Sequence, residues 1–299
     1  MKEAFIDVNF RQDSMERLAV CNAIIAQYQA QGFRLTLRQL YYQLVSRDFI
    51  PNTERSYKNL GKLLSQGRLA GYVDWDAIED RLRVPHKIQE WTDPAQIMNA
   101  VVNGYRLPRW DDQGYHVELW CEKDALAGVL RPLADQYHLT MMVNRGYSSQ
   151  SAMKESAERL EYAAGTGKER VILYIGDQDP SGEDMVRDVG DRLELLSNQA
   201  GAEVIKLAIT EEQVETYQPP PNPAKMSDSR AAGFVARFGT SSYEADALPP
   251  DVLAQVVRDA VTDYIDQDAW DAVGEREEAD KGLLREARDH VMELREQGE

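Results

Sequence analysis

An alternation in the second half of the chain leaves few folds open to it. Four apolar runs, HVELWC (116–121), LTMMVN (139–144), RVILYIG (170–176) and AEVIKLA (202–208), are separated by segments of helical periodicity at 124–137, 149–164 and 181–197. The runs are short and mostly apolar at successive positions, which predicts strands covered on both faces. Strands of that kind joined by helices give an α/β unit of Rossmann type, with a parallel sheet and helices on both faces. Such sheets hold their ligands beyond the carboxyl ends of the strands.

Three carboxylates fall at those ends. Glu122 follows the first run, and Asp177 and Asp179 follow the third. Residues two apart in extended backbone point the same way, so Asp177 and Asp179 share a side. If the two strands are neighbours, the three groups converge and repel one another unless a cation neutralises them. An all-oxygen ligand set suits Mg²⁺, with Mn²⁺ as a substitute. A metal there stabilises charge on a phosphoryl oxygen or a leaving group. The competing reading makes Asp177, Asp179 and Glu183 turn and N-cap residues. Lys123 and Arg145 flank the strand ends and are candidate phosphate contacts. Gly146 reads as a turn glycine.

The first half reads as helical. Helices are expected over 13–31, over 37–47 with a Thr36/Gln39 capping box, and over about 53–66, broken by Gly67 to Gly71. The run YVDW (72–75) then reads as a wing strand, so residues 1–80 suggest a winged helix-turn-helix domain. An unspecific helical domain is the alternative. Residues 81–115 read as a linker region, including an amphipathic stretch at 94–102. Residues 116–270 form the α/β domain, and 271–299 an acidic helix with Leu284, Ala287, Val291 and Leu294 in a seam. That seam either docks on its own domain or dimerises.

Charge bears on the partner. The net charge of −17 argues against a general nucleic-acid binder, yet it is unevenly spread. Residues 34–68 hold seven basic and two acidic residues, a net of +5, whereas 240–299 hold six and 17, a net of −11. Arg55, Lys58 and Lys62 make one basic helix stripe, with Arg68 beyond it. The functional reading is contact with DNA phosphates, and the bland one a solvated face. No apolar run approaches the roughly 18 residues a membrane span needs. The start, MKEAFIDVNF, has no signal-peptide core. Cys21 and Cys121 form no disulfide framework, so a reduced cytoplasmic setting is expected, with Cys121 a buried inert thiol. The four histidines show no metal spacing, and His116 is expected to pack rather than react.

HVELWCEKDAL, VNRGYSS and ILYIGDQDPSGEDM together resemble the Toprim domain of topoisomerases, primases and related nucleases. With TLRQLYYQL near the start and YEADALPP near 243–250, the chain is similar to the A subunit of topoisomerase VI and the meiotic double-strand-break protein. It looks like the short stand-alone relatives of phages and mobile elements. The resemblance implies a Toprim domain behind a winged-helix domain, with Tyr42 as nucleophile, Arg38 beside it, and Glu122, Asp177 and Asp179 on Mg²⁺. Gln39 stands where that pattern has an acidic residue. Glu244 and Asp246 would help shape the site. The resemblance further implies a homodimer in which one protomer's tyrosine meets the other's metal. Strand passage would need an ATPase B subunit, for which this chain carries no nucleotide motif. The expected activity is Mg²⁺-dependent double-strand DNA cleavage by tyrosine transesterification, as in a type IIB topoisomerase. The alternatives are a hydrolytic Toprim nuclease, in which Tyr42 only packs, and a DNA-binding protein with a degenerate site. Tyr57 is the second candidate tyrosine.

Overall fold

The computed structural model describes residues 2–78, 88–144 and 150–297. Arg145 and Gly146, singled out above, lie outside them, as does His86.

Four strands, β1 (Tyr115–Cys121), β2 (Thr140–Val143), β3 (Glu169–Ile175) and β4 (Glu203–Ala208), form one parallel sheet in the order β2-β1-β3-β4. Alternate residues feed two separate cores, as the two-residue period of a strand requires. Val117, Leu119, Cys121, Val171, Leu173 and Ile175 face α5 (Ala127–Gln136) and α10 (Pro250–Thr262). Trp120, Ile172 and Tyr174 face α6 (Gln150–Gly165) and α7 (Pro180–Leu196). The expected α/β sandwich is therefore present. Cys121 and Cys21 are buried and not in a disulfide. Burial pushes the Cys21 thiol up to about 11.

The connection leaving β1 goes outward to β2, and the one leaving β3 goes the other way to β4. That reversal opens a crevice between the carboxyl ends of β1 and β3. Cys121 pairs with Ile175 in register, so the residues that follow both strands meet there.

One polar network lies inside the sheet. Glu118 is fully buried in β1 and accepts hydrogen bonds from Arg159 Nε (2.8 Å) and Nη2 (2.9 Å) and from Trp120 Nε1 (2.9 Å). His116 Nε2 lies 3.0 Å away. Burial alone would raise the Glu118 pKa, but the bonds from Arg159, His116 and Trp120 outweigh it and bring it from 4.5 down to about 2. A depressed carboxylate stabilises the fold above its unfolded pKa, and that stabilisation is lost as pH falls through the folded value. At about 1.4 kcal/mol per unit, the group contributes on the order of 3 kcal/mol at pH 7. Glu118→Gln is expected to lose about that much in urea unfolding at pH 7. It should also flatten the stability decline between pH 4.5 and 2. An acid limb as steep as wild type contradicts this. His116 packs at the far end of β1 from Glu122.

The N-terminal unit holds α1 (Gln12–Gln29), α2 (Leu37–Ser46) and α3 (Glu54–Leu69) around a core that includes Leu18, Ile25, Leu40, Leu44 and Leu64. Thr36 and Gln39 form the expected capping box on α2. Two expectations need correction. First, α3 runs through Gly67 to Leu69. Gly67 is there for packing, since a Cβ would come 2.8 Å from Leu18 and 3.1 Å from Val73. Second, YVDW is no strand. Val73 is fully buried, and the Asp74 side chain caps a 3₁₀ turn at Trp75–Ala77 by accepting from Asp76 N (2.8 Å). The local bridges there join Ala4 to Ala70 and Leu35 to Ile78.

The region 81–115 contributes a helix, α4 (Pro94–Gly104), which lies antiparallel against α11 (Gln267–Gln297). The pair is tied by Arg288 to Asn99 (2.9 Å), Tyr105 to Asp280 (2.8 Å) and Leu107 N to Glu277 (2.9 Å). The first half of α11 thus docks on its own chain, while Val291 and Leu294 remain exposed. The loop-rich stretch 217–245 follows α8 (Glu211–Tyr217). It contains α9 (Ala231–Phe238) and a small ribbon of β5 (Asn222–Pro223) with β6 (Ser241–Ser242). Among the described residues no helix is long and apolar enough to cross a membrane.

Candidate metal centre

Glu122 and Asp177 extend the two central strands, and their backbones stay tied beyond the sheet. Glu122 N donates to Ile175 O (2.9 Å), and the Glu122 carboxylate accepts from Asp177 N (3.1 Å). The chain then departs into α7, where Asp179 acts as N-cap. Its Oδ1 accepts from Gly182 N (2.6 Å) and Ser181 Oγ (2.9 Å). The capping role weighed above for Asp179 is therefore real. Gly182 admits no side chain, because a Cβ would run into the Asp177 carbonyl. Glu183 is bound by Lys206, which also donates to Asp177 O (2.9 Å).

Two further carboxylates arrive from far along the chain. Gln178 and Tyr243 exchange backbone hydrogen bonds of 2.9 Å each. That bridge lays the turn at Glu244–Ala247 over the end of β3, and Asp177 Oδ1 accepts from Ala245 N (2.9 Å). Among the described residues, Asp177, Glu244 and Asp246 form a group in which one carboxylate oxygen from each lies within 4.8 Å of the others. Asp177 is thus shared between the expected triad and this one. Glu122 lies beside it, and Asp179 is near enough for its negative charge to help raise the Glu122 carboxyl. The signal for Glu244 and Asp246 was the YEADALPP resemblance rather than strand-end position.

Five carboxylates share the crevice; Lys123 and Arg38 pair with them directly, and Lys206 acts on Glu122 from beside Glu183. Lys123 Nζ lies 2.6 Å from Asp177 and 3.4 Å from Asp246, and it contacts Glu244. Arg38 reaches from α2 to pair with Glu244 and, at 2.8 Å, with Asp246. Burial raises the Asp177 carboxyl to about 7. Lys123 opposes that shift, and Glu122, Glu244 and Asp246 reinforce it. Burial also raises Glu122. For Glu244 burial acts upward, but Lys123 and Arg38 prevail and lower it. An oxygen-only, partly buried, anion-rich set of this kind fits a divalent cation.

Tyr42 faces the same place from the N-terminal unit of the same chain. Arg38 Nη2 stands 3.5 Å from its hydroxyl, and the guanidinium lies 5.7 Å from its ring centre. Burial pushes the Tyr42 hydroxyl up to about 12, with Glu244 adding to the shift and Arg38 opposing it. Tyr42 is only 4% exposed. Beyond it lies a cavity of about 470 Å³, lined by Arg38, Tyr41, Tyr42, Tyr57, Lys225 and Glu244 among others. Tyr41 is held by Asn52 (2.9 Å) and Thr53 O (3.2 Å), so its role is packing and loop anchorage. One chain thus brings both candidate tyrosines to a cavity that Asp179 and Glu244 of the carboxylate cluster also line.

The basic residues divide. Arg55, Lys58 and Lys62 are exposed on α3, where Lys58 pairs with Glu54 one turn away (2.5 Å). Arg55 and Lys62 border a cleft of about 850 Å³ between α1 and α3. Arg68 instead donates to Ile78 O (2.6 Å) and lies against Trp75, tying the unit together.

Comparison with protein families, with curated proteins and with solved structures finds no match to this chain.

Proposed function

We propose that the chain is a Toprim-type, magnesium-dependent enzyme that cleaves DNA phosphodiesters at the crevice between β1 and β3. The observation that carries this reading is five clustered carboxylates paired with Lys123 and Arg38, with Tyr42 linked to Glu244 through Arg38. Asp177, Glu244 and Asp246 would hold the metal, with Glu122 and Asp179 adjoining. Bound Mg²⁺ supplies charge stabilisation at a phosphoryl oxygen and at the leaving oxygen. Arg38 orients the phosphate, for which its planar fork is suited. In the tyrosine route the Tyr42 Oη–phosphorus bond forms as the phosphorus–deoxyribose oxygen bond breaks. The hydroxyl proton ends on the released oxygen, so no co-reactant is consumed.

Hydrolysis by water is the second reading. The burial of Tyr42 and its raised pKa favour it, since the resting hydroxyl is a weak nucleophile. In either case the helical N-terminal unit acts as the grip on duplex DNA. A homodimer would cut both strands, and strand passage would require an ATPase partner. Supercoiled plasmid with Mg²⁺, stopped with denaturant and protease, should yield linear DNA. Intact plasmid under those conditions, with Mg²⁺ as with chelator, refutes the reading.

The grip has its own test. Neutralising Arg55, Lys58 and Lys62 together should lower the log–log salt slope of duplex binding by about three, alike on unrelated sequences. Arg68→Ala should leave the slope alone and lower the melting temperature, because it loses a structural tie. An unchanged slope in the triple variant takes α3 out of the interface.

A further inference from the structure

Lys123 stands where a metal would. Its ammonium touches all three carboxylates of the Asp177–Glu244–Asp246 group, and its side chain is four-fifths buried. Three oxygen partners around one buried cation reproduce the donor set a divalent ion would seek there. Ammonium and metal cannot share that point, because a like charge at contact distance is strongly repelled in a partly buried site. Lys123 follows Glu122 directly, so its backbone is fixed by the sheet while its flexible stem leaves the head free to move. Glu244, which the Lys123 ammonium touches, also lines the adjoining cavity with Arg38, Tyr42 and Tyr57.

We propose that Lys123 is the resident countercation of this carboxylate group, that a divalent metal displaces its ammonium, and that the displaced ammonium becomes a phosphate contact in the adjoining cavity. The inference rests on the metal-centre reading above. It offsets part of the crowded negative charge of the resting crevice, which would otherwise be buried with less compensation. It also couples metal loading to DNA contact, since Lys123 is free to meet a phosphate only once metal is bound. The apparent metal affinity of the wild type is then reduced by the fraction of time Lys123 vacates the site.

Calorimetric titration of the metal-free protein with Mn²⁺, without DNA, tests this. Lys123→Gln removes the competitor and should bind Mn²⁺ at least about tenfold more tightly than wild type, which corresponds to Lys123 vacating the site no more than about a tenth of the time. Without metal the same variant should melt at a lower temperature, and Mn²⁺ should restore more than it does for wild type. Equal or weaker Mn²⁺ binding in Lys123→Gln, while wild type binds and Asp177→Asn does not, overturns the displacement and leaves the metal centre standing. No Mn²⁺ binding in either protein removes the metal centre, and the displacement with it. Should the variant fail to fold, wild type labelled with ¹⁵N-lysine decides. The Lys123 ammonium signal, sheltered by three carboxylates, should be lost to solvent exchange at saturating Mg²⁺. A signal that persists unchanged at saturation overturns the proposal.

Discussion

Asp177→Asn is expected to abolish divalent-metal binding, weakening Mn²⁺ affinity at least about tenfold. Even residues that only support metal ligands cost tenfold to a hundredfold. Asp177 is the one carboxylate common to both acidic groupings, since it faces Glu244 and Asp246 and its backbone N–H binds Glu122. The change is nearly isosteric, and Oδ1 can still accept from Ala245 N, so the turn at 244–247 should remain in place. Far-UV circular dichroism should therefore match wild type while calorimetric heat disappears. Metal binding retained at wild-type strength would move the centre away from β3 altogether. Glu183→Gln is the control. Glu183 is committed to Lys206, and its loss should leave metal affinity within about twofold, as expected of a group outside the ligand set.

Tyr42→Phe separates the two chemical routes and carries the largest expected effect on rate. If Tyr42 is the nucleophile, covalent protein–DNA adducts should fall at least about a thousandfold, as the loss of an attacking group does elsewhere. Duplex binding should persist. The lost hydroxyl accepts a long bond from Arg38, whose stronger partners are Glu244 and Asp246, and interacts with the Asn222 side chain. Tyr57→Phe should cost far less on the same scale. The readout is duplex labelled separately at its 5′ and 3′ ends, trapped with denaturant, with protein retained on one end only. Free ends at the wild-type rate in Tyr42→Phe would assign attack to water and leave Tyr42 as packing. Adducts lost in Tyr57→Phe instead would pass the role to α3.

Much of the sheet was legible because its signals are local. Each strand is a continuous apolar run, each crossover helix has its own period, and Thr36 with Gln39 announces α2 within four residues. The adjacency of β1 and β3 was a condition in the sequence and became a fact through strand order, which no single segment encodes. The remainder depends on contacts across the chain. Glu244 and Asp246 reach the crevice only because Tyr243 bridges to Gln178, some 65 positions away. Asp179 looked like a ligand by its spacing from Asp177, yet the first turn of α7 claims one of its oxygens. Gly67 read as a helix stop until Leu18 and Val73 showed why a small residue belongs inside α3. The YVDW run has strand composition, but Asp74 competes for backbone N–H groups and turns the chain instead. The pairing of α4 with α11 joins segments about 180 residues apart, beyond the reach of any pattern.

The most direct test of the central claim is an anomalous difference map from crystals of the wild-type protein grown with Mn²⁺. The account predicts one peak between β1 and β3, about 2.1 Å from oxygens of Asp177 and Glu244, with the Lys123 ammonium no longer among them. At saturating Mn²⁺, a map with no peak there and Lys123 still bound to Asp177, Glu244 and Asp246 would contradict it.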